Sequence, residues 1–349
     1  MYHTALQALR SSGIRISSDT GEYHQIPEFA DDLSDATTNP SLVLAAVSKV
    51  EYSDIVKDAV DFAKERLPDA KVEDVTALAM DRLLVQVGVA ISRIVPGRVS
   101  VSVDPRIGYD TEAMIRKGYT LVSLLEELGI PRHRILIKIP ATYEGICAAR
   151  ALEHPSTESG QQPIYTNMTL IFGRVQAIAC AQAGLSVISP FIGRVKDWWD
   201  AHQPGSAGGT DLSQHPGILL VRDIRSTYLA HGYKTHVMAA GFRAVDEIIE
   251  VGKYGAAGGP DLVTLPPHLL AGLRSRESVE PPLEFTPRDV GATPEYFGGE
   301  DSAEGADAYA RDIAEEKVAA AKVPEGLAKF SADAQILEDL VRRMVDEAL

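Results

Sequence analysis

The sequence predicts an α/β fold, a (β/α)8 barrel with extra C-terminal helices, on three observations. Eight short strand-like runs alternate with helix-like segments from end to end of the chain. The length is somewhat above the ~250 residues that such a barrel needs. No strand is followed by the glycine turn of a dinucleotide-binding sheet, so an open doubly wound sheet lacks support. The expected organisation is one domain over residues 1–349, with a helical extension from about 285 to 349.

The first strand is Ile14 to Asp19, stopped by Thr20-Gly21. Leu33 to Asn39 makes a short second strand, and Pro40 opens a long helix expected to run through Leu67. A helix over Val72 to Val95 carries apolar residues at helical spacing and ends at Pro96-Gly97. Val99 to Asp104 is the third strand, followed by a helix from about Thr111 to Leu128. The fourth strand is Ile135 to Pro140, followed by a helix over Gly145 to Leu152. Ile164 to Leu170 is the fifth, with Arg174 to Ala183 helical after it. Leu185 to Pro190 is the sixth, and the helix after it holds Trp198-Trp199, which reads as packing rather than a nucleic-acid stacking platform.

Gln203 to Gly217 is rich in Gly, Ser and Pro and is the clearest loop. Its Gly208-Gly209 pair has no strand before it and carries no phosphate signal. Ile218 to His231 is helical, Thr235 to Ala240 is the seventh strand, Val245 to Lys253 is helical and Leu262 to Leu265 is the eighth. The tail passes through a Pro-rich stretch, Pro281 to Pro294, into helices ending at Leu349.

Composition narrows the function. The formal charge is 34 − 49 = −15, which argues against nucleic acid or an anionic membrane as partner. An anionic substrate then needs a local basic island. Cys147 and Cys180 both fall in helical segments and read as reduced thiols, so a cytoplasmic setting is expected. Met1 to Arg10 has no signal-like apolar core, the C-terminal Glu-Ala-Leu matches no targeting tail, and no apolar run is expected to reach membrane-spanning length. The nine histidines show no metal-ligand spacing.

The residue out of place is Lys138, inside an Ile/Leu strand that reads as buried on both faces. A buried ammonium costs several kcal/mol, at least roughly, so it must be paired, reach solvent or give up its proton. A desolvated strand-end amine is a nucleophile that forms Schiff bases with carbonyls. A side chain that snorkels to solvent is the structural alternative.

In a barrel the site lies where the strands end. The polar residues there are Asp19, Thr37, Asn39, Ser102, Asp104, Lys138, Asn167, Thr169 and Ser189, with Arg194 and Arg243 close behind strands six and seven. Singly, each has a structural explanation; Asn39 before Pro40 reads equally as a helix cap. Together they offer an amine for a ketone, a carboxylate for a proton, amides for hydroxyls and guanidinium forks for phosphate. That set fits retro-aldol chemistry on a sugar phosphate.

Asp35-Ala36-Thr37-Thr38-Asn39-Pro40-Ser41-Leu42 resembles the first transaldolase signature, and Ile135 to Ala151, around Lys138, resembles the second. Ser18 to Glu22, Thr166 to Thr169, Ile188 to Arg194 and Gly241 to Arg243 match in order. The chain is identified as a divergent member of the transaldolase family, within the class I Schiff-base aldolases. The resemblance implies that Lys138 forms the imine and that Asp19 moves the proton that breaks and remakes the carbon–carbon bond. It implies that Asn39 and Asn167 hold the dihydroxyacetone unit, with Thr37, Thr169, Ser189 and Phe191 completing the pocket. Arg194 and Arg243 grip phosphate. No metal or other cofactor is implied, because the imine is itself the electron sink; the implied substrates are phosphorylated sugars, and a homodimer through C-terminal or surface helices fits the family.

Two positions depart from the resemblance. Ser102 stands where the family carries a glutamate that works through a water and the threonine matching Thr169, and a serine holds a water without acting as a base. Glu144 is a candidate replacement. Gly241 stands where the family has a phosphate-binding serine. Three readings therefore stay open: a transaldolase, an altered aldolase or carboligase acting on another carbonyl substrate, and a silent sugar-phosphate-binding barrel.

Overall fold

The computed structural model describes residues 4–205, 209, 211–277, 282–297 and 302–347. Gly208, Pro281 and the terminal Ala348-Leu349, on which parts of the sequence reading fell, lie outside them. Eight parallel strands close into a barrel in sequence order. They are β1 Arg15–Asp19, β2 Asp35–Thr37, β3 Val99–Ser102, β4 Ile135–Pro140, β5 Thr166–Ile171, β6 Val187–Pro190, β7 His236–Ala239 and β8 Leu262–Leu265. The barrel closes where Arg15 to Ser18 pair with Leu262 to Leu265. Every residue of β4 and β5 is buried, as a parallel strand covered by helices requires.

The α-helices are α1 Ala5–Ser11, α2 Pro40–Val47, α3 Ser53–Arg66, α4 Val72–Ser92, α5 Thr111–Glu127, α6 Tyr143–Glu153 and α7 Arg174–Gln182. After them come α8 Ile192–His202, α9 Pro216–His231, α10 Val245–Gly252, α11 Gly255–Gly258, α12 Pro267–Ser275, α13 Ser302–Glu315 and α14 Lys317–Glu347. Caps fall where the sequence supplies them: the side chains of Asn39, Asp110 and Thr142 accept the N–H groups of Leu42, Ala113 and Gly145.

Three expectations are corrected. The helix expected from Pro40 to Leu67 is two helices joined by a 3-10 turn over Val50–Tyr52. Ser48 turns its hydroxyl onto the Leu44 carbonyl at 2.7 Å, a local bond that competes with helix continuation. The bend buries Tyr52 against His24, ring centroids 4.8 Å apart, and leaves Val50 exposed on the outside. Next, α1 and α12 were not anticipated, and they pack on each other. Finally, the 21 residues of α4 are long and apolar enough to cross a membrane by composition. In the fold its most apolar window is 67% buried, packed on α3, α5, α14 and β3.

The C-terminal helices are integrated with the barrel. Glu316, between α13 and α14, accepts the backbone N–H groups of Arg174 at 2.8 Å and Val175 at 3.1 Å. It thereby caps α7, whose own N-cap is Gly173 and has no side chain for the task. Burial pushes the Glu316 carboxyl up. Further along, Asp333 of α14 accepts a hydrogen bond from Ser41 of α2. Helix α14 thus crosses the end of the barrel where the strands finish, touching α2, α8 and β5.

Candidate active site

Register places three polar residues at one level of the barrel, with Ser102 of β3 beside Lys138 of β4 and Lys138 beside Asn167 of β5. Lys138 is only 5% exposed. Its Nζ donates to the Thr38 carbonyl at 3.4 Å, a long bond for a charged donor. Burial lowers the Lys138 pKa, and the charge of Asp19 opposes that shift only in part. The desolvated amine expected from the sequence is present.

Asn39, Ser102, Lys138 and Thr169 line a single chamber with Pro105, Pro140 and Leu170, and α14 covers it with Leu327 and Phe330. Its volume is about 20 Å³, room for about one water. The hydrogen bonds here are sparse. Ser102 Oγ reaches only the Thr38 carbonyl, at 3.5 Å, and the buried Thr169 Oγ1 has no partner among the described residues. Thr169 is aimed by an irregularity: the β5–β6 register shifts between Met168 and Ile171, and Leu170 takes φ +60°. Gln176 of α7 clamps this turn, donating to the carbonyls of Leu170 at 2.9 Å and Ala141 at 2.8 Å while accepting the N–H of Phe172.

Asp19 accepts from Thr37 Oγ1 at 2.7 Å, and Thr37 in turn meets Thr264 Oγ1 of β8 at 2.7 Å. Asn167 donates to Ser100 at 3.1 Å and accepts from Ser189 at 2.7 Å. Asn39 does cap α2, through its Oδ1, while also lining the chamber. Asp104, expected at the end of the third strand, lies past the end of β3 as the cap of a 3-10 turn. There its carboxylate is held by Arg106, which also grips Glu338 and Gln335 of α14. Glu144 lies in the first turn of α6 and does not line the chamber. Neither carboxylate is placed to serve the lysine.

The two arginines stand together on the rim. Arg194 lies over the rings of Phe191 and Phe330 at 5.5 and 5.3 Å, and burial, assisted by the nearby Arg243, lowers its pKa. Phe191 is itself buried and meets Phe172 edge-on at 5.7 Å. Arg243 pairs with Asp197 at 2.7 Å. Gly241 has φ +71°, a conformation that side chains rarely adopt, so a residue with a Cβ would be strained here.

Sequence reasoning missed Thr264, Leu327 and Phe330. Thr264 carried the same signal as Lys138, a polar residue in an apolar strand. Leu327 and Phe330 carried none, because only the tertiary path of α14 brings them over the barrel. Among the described residues no three His, Cys, Asp or Glu side chains come together to hold a metal ion.

A closed parallel barrel with a buried amine at the carboxyl end of β4 defines a lysine-centred barrel of the aldolase type. Sequence comparison takes the assignment further. The chain belongs to the family described as transaldolase/fructose-6-phosphate aldolase, which it matches over residues 16–341. It is 38% identical to the transaldolase of Saccharomyces cerevisiae over 352 residues, covering 98% of this chain and 96% of that one. It is 40% identical to the transaldolase of Gloeobacter violaceus, covering 98% and 82%, and 38% identical to transaldolase B of Pasteurella multocida, covering 97% and 98%.

Proposed function

We propose that this chain is a transaldolase that moves a dihydroxyacetone unit from a ketose phosphate, fructose 6-phosphate or sedoheptulose 7-phosphate, to an aldose phosphate, as in the pentose phosphate pathway. The observation that carries the reading is Lys138, desolvated at the mouth of the barrel. Its amine attacks the ketose carbonyl; loss of water leaves the imine, which serves as the electron sink in place of a metal or cofactor. Asp19 takes the C4 hydroxyl proton as the C3–C4 bond breaks and returns it to the incoming aldehyde. Asn39, Asn167 and Ser189 hold the hydroxyls of the bound unit, Thr37 orients Asp19, and Phe191 walls the pocket. Thr169 and Ser102 hold the water exchanged as the imine forms and hydrolyses. Arg194 and Arg243 hold the phosphate. The same proposal takes phosphorylated sugars as substrates in the cytoplasm, needs no nucleic-acid or membrane partner, and accommodates a homodimer.

The test is borohydride reduction in the presence of fructose 6-phosphate, followed by mass spectrometry of the Lys138 peptide. Release of glyceraldehyde 3-phosphate is measured with and without erythrose 4-phosphate. A reduced adduct with acceptor-dependent turnover supports the reading. Absence of any adduct refutes it.

A further inference from the structure

Behind the rim arginines three backbone segments meet, and a buried histidine joins them. The first turn of α8 touches the loop after β7, where Gly193 N–H donates to the Gly241 carbonyl at 3.1 Å. A Cβ on Gly193 would lie 3.0 Å from Arg243 Cγ. The start of α9 presses on the same turn, because a Cβ on Gly217 would lie 2.3 Å from the Ile192 carbonyl oxygen. His215, 1% exposed, caps α9: its Nδ1 accepts the N–H groups of Gly217 at 3.1 Å and Ile218 at 3.3 Å. Its other nitrogen faces the carboxylate of Glu247, Nε2 to Oε1 3.5 Å. Glu247, 5% exposed, accepts the backbone N–H of Arg243 at 2.7 Å and of Ala244 at 3.4 Å.

We propose that His215 is a positioning residue for the phosphate-binding arginine Arg243, acting through Glu247; this rests on reading the rim arginines as the phosphate grip. Nδ1 accepts two N–H groups, so the neutral ring carries its proton on Nε2, toward Glu247. At 3.5 Å that contact is long for a hydrogen bond, and it acts as the pull of an N–H dipole on a buried charge. Burial pushes the Glu247 carboxyl up, but His215 and the backbone N–H groups outweigh it and hold the pKa below the ordinary value. A charged carboxylate is the stronger acceptor for the Arg243 N–H, so the ring helps to fix the backbone from which the guanidinium extends. The end of the Gln203 to Gly217 loop is thereby tied to phosphate recognition.

The test separates capping from positioning. His215→Asn keeps a side-chain acceptor for the start of α9 but removes the group facing Glu247. Binding of inorganic phosphate is measured by titration calorimetry on the wild type, Arg243→Ala, His215→Asn and Glu247→Gln, with KM and kcat for fructose 6-phosphate in parallel. The expected result is weaker phosphate binding in His215→Asn, by up to about tenfold, the scale of one hydrogen bond. Its KM should rise by more than its kcat falls, and Glu247→Gln should behave alike. A purely structural role would lower the melting temperature of His215→Asn and leave its phosphate affinity and KM at wild-type values; that outcome overturns the proposal. If Arg243→Ala binds phosphate as the wild type does, the underlying reading of the arginines fails instead.

Discussion

Lys138 and Ser102 are register partners on adjacent strands and point at the same acceptor, the Thr38 carbonyl, from 3.4 and 3.5 Å. The lysine's immediate neighbour is therefore a hydroxyl, and the carboxylates of Asp104 and Glu144 are occupied or outside the chamber. Forming and hydrolysing an imine needs proton transfers at nitrogen and oxygen that a hydroxyl cannot drive near neutral pH.

Imine exchange should accordingly limit turnover. With fructose 6-phosphate and an acceptor, slow steady-state release of glyceraldehyde 3-phosphate is expected, because imine formation and imine hydrolysis both lack a base. Ser102→Glu should speed the steady state toward the ~10²–10⁴-fold that a placed general base supplies. A steady-state rate that Ser102→Glu leaves unchanged would count against this.

The depressed pKa of Lys138 has a stability consequence. Between the folded value and the ordinary unfolded value near ~10.4, the unfolded chain binds the proton more tightly than the folded one. Stability linked to this group is therefore lost as pH falls through that window. Lys138→Met should raise the melting temperature at neutral pH, with a gain that shrinks toward pH ~10.4. It should also abolish adduct formation. A gain that is independent of pH from 7 to 10 would contradict the assignment.

Arg243 is paired with Asp197, both side chains about half exposed, so an incoming phosphate must compete with a carboxylate. Asp197→Asn should tighten phosphate binding and lower KM by no more than about fivefold, because an exposed pair is worth ~1 kcal/mol at most. Phosphate titration at two ionic strengths checks this, and the difference should shrink at high salt.

The reading of residues 1–349 as one domain predicts that the C-terminal helices cannot be removed. A chain ending at residue 301 would uncover Leu170, uncap α7 and break the tie of Asp333 to Ser41. Loss of cooperative melting is expected. The milder Glu316→Ala should cost about 1 kcal/mol, the usual scale of a lost helix cap. A truncated chain that melts as sharply as the full one would show an independent barrel.

The barrel was legible because burial on both faces leaves continuous apolar runs, and Lys138 stood out by breaking one. Asn39 before Pro40 marked a helix start, and it both caps that helix and lines the chamber, while the cap at Thr142 was passed over and its helix expected only from Gly145. The break at Ser48 was not legible, since a serine inside a helix does not by itself end one and the ring that receives Tyr52, His24, is far away in the sequence. Asp104 was expected within the third strand, but β3 ends two residues earlier, at Ser102. The helix α14 over the chamber and the pairing of His215 with Glu247 depend on contacts across many residues, which local pattern does not encode.

Leu170 holds a left-handed backbone that costs a leucine about 1–2 kcal/mol. It persists because Gln176 clamps its carbonyl and α14 packs over its side chain, close beside Gly326. The turn that aims Thr169 is thus the part of the barrel with most to gain by relaxing. On gentle heating it should let go before the sheet does, so that catalysis fades while the circular-dichroism spectrum is still that of a folded protein.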